Sequence, residues 1–212
     1  MKLLTRFAIF AALGVSAFAS GAVPRHAPEF DFVDASGKHT LLSSYKGKVV
    51  LIQFLLTTCP HCQAMSQMLT KLQSELGPRG FQAVGVVYND PEPGGKYSKA
   101  DMAKDYQAGY SNNGKERMPF GAPLNFPIFY APMQTMRNFM EASVMDRLMF
   151  PHVVIVDKKG EIVNESKMEG SAELQSEASL RELIDKLLKE GGAPASSKAA
   201  PKKAAAVATT TK

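Results

Sequence analysis

From Val49 to Leu56 the chain runs apolar and β-branched, and Met65, Met68, Leu69, Leu72 and Leu76 then follow at helical spacing. A buried strand therefore passes into a helix within a few residues. The change of period falls on Cys59-Pro60-His61-Cys62, which holds the only 2 cysteines of the chain. That junction leaves few architectures open, because an almost wholly apolar strand feeding an amphipathic helix needs a sheet with a covered face.

Pro60 suits the first helical position, where its missing N–H is not needed and its φ is already helical. Cys59 then falls at the N-cap, and Gly77-Pro78 ends the helix. An N-cap side chain accepts hydrogen bonds from the N–H groups two and three residues on, here His61 and Cys62, and it feels the positive end of the helix dipole. A Cys59 thiolate is expected to gain from both. Cys62 lies one turn later in line with Met65 and Leu69 and is expected to be buried. The pair reads as a redox switch, with Cys59 attacking and Cys62 resolving. As a structural staple it would be weak, since it closes too short a loop to remove much unfolded-state entropy.

The two ends of the chain set the compartment. Lys2 and Arg6, an apolar run from Phe7 to Phe18, and Ala17-Phe18-Ala19 give residues 1–22 the layout of a cleaved secretory signal. The run is about a dozen residues, short of the roughly 20 that span a bilayer. Residues 191–212 are nearly all Ala, Lys, Thr, Ser, Pro and Gly, and are expected to be a disordered tail. The formal charge of +5 comes from these ends, which hold Lys2, Arg6, Lys198, Lys202, Lys203 and Lys212. Residues 23–190 are nearly neutral, so no nucleic-acid surface is expected. They form one domain by length. A periplasmic or secreted location, where disulfides persist, is the expectation, with no membrane span once the signal is cleaved.

Strands are expected near Phe30–Val33 and His39–Leu41 as a hairpin about Ser36-Gly37, then at Val49–Leu56 and Phe81–Tyr88. A helix near Lys99–Tyr110 follows a Pro/Gly-rich loop. Residues 111–124 read as an irregular connection, Phe126–Tyr130 as a short extended piece, and Met133–Leu148 as mostly helical. Val153–Val156 and Glu161–Ser166 make a hairpin across Lys158-Lys159-Gly160. Ser171 is the expected cap of a last helix with Leu180, Leu183, Ile184, Leu187 and Leu188 on one face. The alternation implies an α/β mixed sheet covered on both faces.

Four segments, in order, resemble a known family: Ala27-Pro28-Glu29-Phe30 with Asp34 to Gly37, Tyr45 to Val50, Thr57 to Cys62, and Phe150-Pro151-His152 with Val153 to Gly160. Residues 27–190 look like a thioredoxin-fold protein of the TlpA/ResA-like thiol-disulfide oxidoreductase branch, related to the AhpC/TSA redoxins. The resemblance implies that Pro151 is cis and faces the dithiol, and that Phe150 offers backbone groups to an extended client beside Cys59. The dipeptide Pro60-His61 is similar to that of DsbA-type oxidants, whose couple is near −120 mV. Lowering a thiol from about 8.5 to about 3.5, as in those enzymes, takes roughly 7 kcal/mol. A helix terminus supplies at most about 2, so His61 is the candidate for further tuning of Cys59.

The chain departs from the pattern at several places. Gln53 stands where such proteins often bury an acid, Met65 replaces another acid after the second cysteine, and Thr58 replaces an aromatic residue. Rival readings are a thiol peroxidase and a copper or soft-metal chaperone. Against the first, Ile52 and Leu56 occupy positions where a peroxiredoxin needs Pro and Thr. The second would use Cys59, Cys62, His152 and Met133, Met136, Met140, Met145 and Met149. Haem attachment fails because Gln63 stands where histidine is required. The favoured reading is a monomeric enzyme with catalytic Cys59 and Cys62, no cofactor and no metal. Its partners would be cysteine-containing envelope proteins and a redox protein that resets the dithiol.

Overall fold

The computed structural model describes residues 22–190. The signal and tail expected for 1–22 and 191–212 lie outside the described residues, Ala22 excepted.

The central strand, β4 (Val49–Leu55), is buried along its whole length because its residues serve two cores in alternation. Along the chain come β1 (Arg25–His26), β2 (Asp31–Val33), β3 (His39–Leu41), β4 and β5 (Phe81–Val87). A small pair, β6 (Tyr110–Asn112) and β7 (Arg117–Pro119), precedes β8 (Ile128–Tyr130), β9 (His152–Val156) and β10 (Glu161–Glu165). The main sheet has eight strands in the order β1-β10-β9-β4-β5-β8-β2-β3. β4, β5 and β8 run parallel, and β9 lies antiparallel on the other side of β4. The expected N-terminal hairpin is β2–β3, joined to the sheet edge through β8.

Val49, Leu51 and Leu55 face a core shared with helices α1 (Pro60–Leu76), α2 (Lys99–Gln107) and α4 (Glu177–Glu190). From α1 come Met65, Leu69, Leu72 and Leu76, from α2 Met102 and Tyr106, and from α4 Leu180 and Ile184. Burying each such leucine contributes about 2 kcal/mol. Val50, Ile52 and Phe54 face the other way, into an aromatic core with Phe30, Phe32, Phe129 and Phe139, the last from helix α3 (Met133–Phe139). The sheet is covered on both faces, as the apolar run of β4 requires.

Four local expectations need correction. Helix α2 stops at Gln107 because Gly109 turns to φ +87, where an added Cβ would also strike the Gly121 carbonyl. The connection after it is not wholly irregular, since β6 and β7 pair across residues 112–117. Helix α3 covers only the first half of Met133–Leu148. Glu141 takes φ +51, and the chain beyond it wraps the Arg137 guanidinium, which donates to the carbonyls of Ser143 and Asp146. Side-chain donors there replace the backbone ladder of a longer helix. Finally, Ser171 does not cap the last helix: its hydroxyl accepts from the Lys167 N–H, and a 3-10 turn at Ala172–Gln175 intervenes before α4.

Candidate active site

The strand-to-helix turn carries the dithiol at the C-terminal end of β4. Cys59 takes the N-cap place with φ −80 and ψ 118, Pro60 opens α1, and the Gln63 N–H donates to the Cys59 carbonyl. The turn is pinned from the segment after β5. The Thr57 N–H donates to Asn89 Oδ1 at 3.0 Å, and the buried Thr57 hydroxyl donates to the Asn112 carbonyl at 2.5 Å. Gln63 Nε2 holds the Thr57 carbonyl at 2.9 Å.

The two cysteines are free thiols in very different surroundings. Cys59 is half-buried; Cys62 is wholly buried, on the face of α1 that carries Met65 and Leu69. Burial pushes the Cys62 thiol far above its ordinary range, a backbone hydrogen bond at Leu56 pulls it partway back, and the neighbouring Cys59 raises it again. The expected capping bond is not made. Cys59 makes no side-chain cap bond to α1, and its thiol donates toward the Phe150 carbonyl at 4.0 Å.

That contact places Phe150 and Pro151 at the dithiol. The Phe150-Pro151 peptide bond is cis, as is Val23-Pro24 near the start of the described residues. The Phe150 ring packs at a tilt against Tyr88, with centroids 4.7 Å apart. His61 is exposed and makes no hydrogen bond to Cys59, so any tuning by it acts through charge across space.

Beneath Cys62 lies a polar group that sequence reasoning identified only in part. Gln53 is fully buried; its Nε2 donates to the Cys62 carbonyl at 3.0 Å and its Oε1 accepts from the Ser66 hydroxyl at 2.9 Å. Ser66 also reaches the Cys62 carbonyl at 2.9 Å and the Tyr106 hydroxyl at 3.0 Å. Gln53 stood out as the replacement for an acid, but Ser66 and Tyr106 did not stand out. The available signal was Ser66 itself, a polar residue inside the apolar stripe of α1.

The copper donor set is not assembled. His152 turns to the aromatic core, where its ring meets Phe54 and its Nε2 lies 3.4 Å from Glu165 Oε1. Met136 and Met140 are core filler in the same cluster, while Met145 and Met149 are exposed. Among the described residues no group of three or more His, Cys, Asp or Glu is placed to hold a metal ion.

Sheet order, helix placement and the position of the dithiol together define a thioredoxin-like fold, and solved structures agree. A thiol:disulfide interchange protein of Chlorobium tepidum superposes with TM-score 0.57 at 22% identity, covering 79% of this chain and 98% of that one. A putative protein disulfide isomerase from Bacteroides thetaiotaomicron gives TM-score 0.55 at 23% identity, over 80% of this chain and 92% of the other. By sequence, the AhpC/TSA family model matches residues 23–165, and the chain belongs to that family. Among curated relatives, a probable glutathione peroxidase 8-B of Xenopus laevis is 33% identical over 78 residues, which is 35% of this chain and 37% of the relative. The match thus spans little more than a third of that protein.

Proposed function

We propose that this chain is a thiol-disulfide oxidoreductase that exchanges disulfides with cysteine-containing proteins through Cys59 and Cys62. One observation carries the reading: a half-exposed thiol at the start of a helix faces the carbonyl before Pro151, with a second thiol sealed one turn behind it. In the reducing direction, a Cys59 thiolate attacks a client disulfide, one client thiolate leaves, and Cys62 displaces the other to close the Cys59–Cys62 disulfide. In the oxidising direction, a client thiolate attacks Cys59 of that disulfide, Cys62 leaves as thiolate, and a second client thiol releases the reduced enzyme. An extended client would lie against the Phe150 backbone. A redox partner resets the dithiol.

A periplasmic or secreted setting, where disulfides persist, suits this activity. Among the described residues no helix is long and apolar enough to cross a membrane. The deciding experiment is the equilibrium of the dithiol with glutathione buffers. A potential near −120 to −180 mV marks an oxidase or isomerase, and one near −270 mV a reductant. A dithiol that never exchanges with glutathione or a protein disulfide overturns the proposal. With His61→Gly the couple becomes more reducing if the imidazolium stabilises the Cys59 thiolate through space; an unchanged potential removes His61 from the mechanism.

The match to probable glutathione peroxidases supports a second reading. There a Cys59 thiolate takes the terminal oxygen of a hydroperoxide to become a sulfenic acid, releasing water or an alcohol. Cys62 then condenses with it to the disulfide and water. Hydroperoxide consumption coupled to a thiol reductant tests this, and a Cys59 no faster than free glutathione ends it.

A further inference from the structure

The buried group at Cys62 contains no base. Gln53 Nε2 and Oε1 are both engaged, by the Cys62 carbonyl and the Ser66 hydroxyl, and Ser66 in turn meets Tyr106. An amide does not titrate, a serine hydroxyl does not ionise near neutrality, and burial drives the Tyr106 phenol further from ionisation. The other titratable groups about Cys62 give no relief. Cys59 is bound to the client in the mixed disulfide when Cys62 must act, so it supplies no base. Asp105, beside Tyr106 on α2, is taken by Asn112 Nδ2 at 2.7 Å and Arg117 Nε at 3.0 Å. From β9, His152 is engaged on the opposite face of the sheet with Glu165, and His61 is exposed.

Resting on the dithiol reading above, we infer that Gln53, Ser66 and Tyr106 are positioning residues forming a proton-neutral floor that makes Cys62 a slow resolving thiol gated by hydroxide. Closing the enzyme disulfide requires Cys62 to lose its proton, and no side chain beneath it receives one. The proton must leave to solvent or to a departing thiolate. The mixed disulfide between Cys59 and a client therefore persists at neutral pH, long enough for a second thiol of the client to displace the enzyme. Such timing favours rearrangement of client disulfides over their complete reduction.

The test follows the full-length reduced protein reacting with dithionitrobenzoate in stopped flow. Cys59 thiolate attacks the aryl disulfide, releasing one coloured thiolate and forming the Cys59–aryl mixed disulfide. Cys62 then loses a proton, attacks Cys59 Sγ and releases the second coloured thiolate, leaving the dithiol oxidised and the reagent reduced. The rate of the second phase is expected to rise about tenfold per pH unit from 6 to 9 without a plateau, as the thiolate fraction does below its pKa. Gln53→Glu, which places a carboxylate on the floor, is expected to quicken this phase at least tenfold at pH 7 and flatten its slope. Gln53→Ala, which adds no base, keeps the slope. A plateau below pH 8 in the natural protein overturns the inference even if Gln53→Glu does not fold, as does a folded Gln53→Glu with unchanged rate and slope. Absence of a first phase, or its survival in Cys59→Ser, defeats the dithiol reading instead.

Discussion

The two faces of the sheet bury polar groups in opposite ways. On the α1 face, Gln53, Ser66, Tyr106 and the Cys62 carbonyl form a neutral set in which each hydroxyl and amide group has a partner. On the aromatic face, Arg25 Nη1 lies 2.6 Å from Glu165 Oε2, Arg25 Nε 3.1 Å from Glu141, and His152 Nε2 3.4 Å from Glu165. The two Arg25 contacts are ion pairs by distance, but poorly aligned: Arg25 Nη1 and Glu165 Oε2 make no well-formed hydrogen bond, and His152 Nδ1 is buried without a partner. Neutral groups fully paired cost little to bury and hold position without titrating. Charged groups cost several kcal/mol to desolvate and recover this only through one another. The dithiol is built over the first kind, and the aromatic core is tied to the N-terminal strand by the second.

The sharpest break between the faces comes from Cys59→Ser, which is expected to abolish disulfide exchange in an insulin-reduction assay while changing the unfolding free energy from urea denaturation by less than about 0.5 kcal/mol. Glu165→Ala should do the reverse. It leaves Arg25 to Glu141 alone and His152 without its carboxylate, and chemical denaturation is expected to show a loss of about 2–3 kcal/mol, with the exchange rate of the folded fraction retained. Tyr106→Phe removes one hydroxyl from the neutral set and should cost about 1 kcal/mol by the same measurement. A cost equal to that of Glu165→Ala would erase the contrast between the faces.

The smallest effect belongs to the hairpin side of the aromatic core. Burial pushes the Glu29 carboxyl up, but hydrogen bonds from Ser43, Phe30 and Leu42 outweigh it and leave the group below its ordinary 4.5. A lowered folded value means stability that is present above about pH 4.5 and lost as pH falls below it. Glu29 is largely exposed, so screening holds the contribution to a few tenths of a kcal/mol. Urea midpoints of the natural protein and Glu29→Gln should therefore converge as pH drops from 5 to 3.

Much of the architecture was legible because single segments encode it. The run of β4, the stripe of α1 and the alternation of strands and helices lead directly to a mixed sheet with the cysteines at a strand-to-helix turn. Pro151 was legible only through the resemblance of four segments. Residues 133–148 misled because Met136 and Met140 keep helical spacing on both sides of Arg137, and nothing local shows that this guanidinium will gather the carbonyls of Ser143 and Asp146. Cys59 misled differently. Its N-cap place was correct, but its side chain makes no cap bond there, and the acceptor it found is 91 residues away.

What the sequence determined by itself is therefore local: periods, a proline at the first turn of α1, and two cysteines one turn apart. Those choices depend on neighbours within a few residues, where sterics and hydrogen-bond geometry act directly. Helix phase also marked Cys62 as the buried thiol, but only the tertiary structure decided which carbonyl faces Cys59 and which side chains close the polar group under Cys62. Burial and long-range pairing set those properties, and they arise when β4, α1, α2 and the Phe150-Pro151 segment, distant in the chain, close on one another and exclude water.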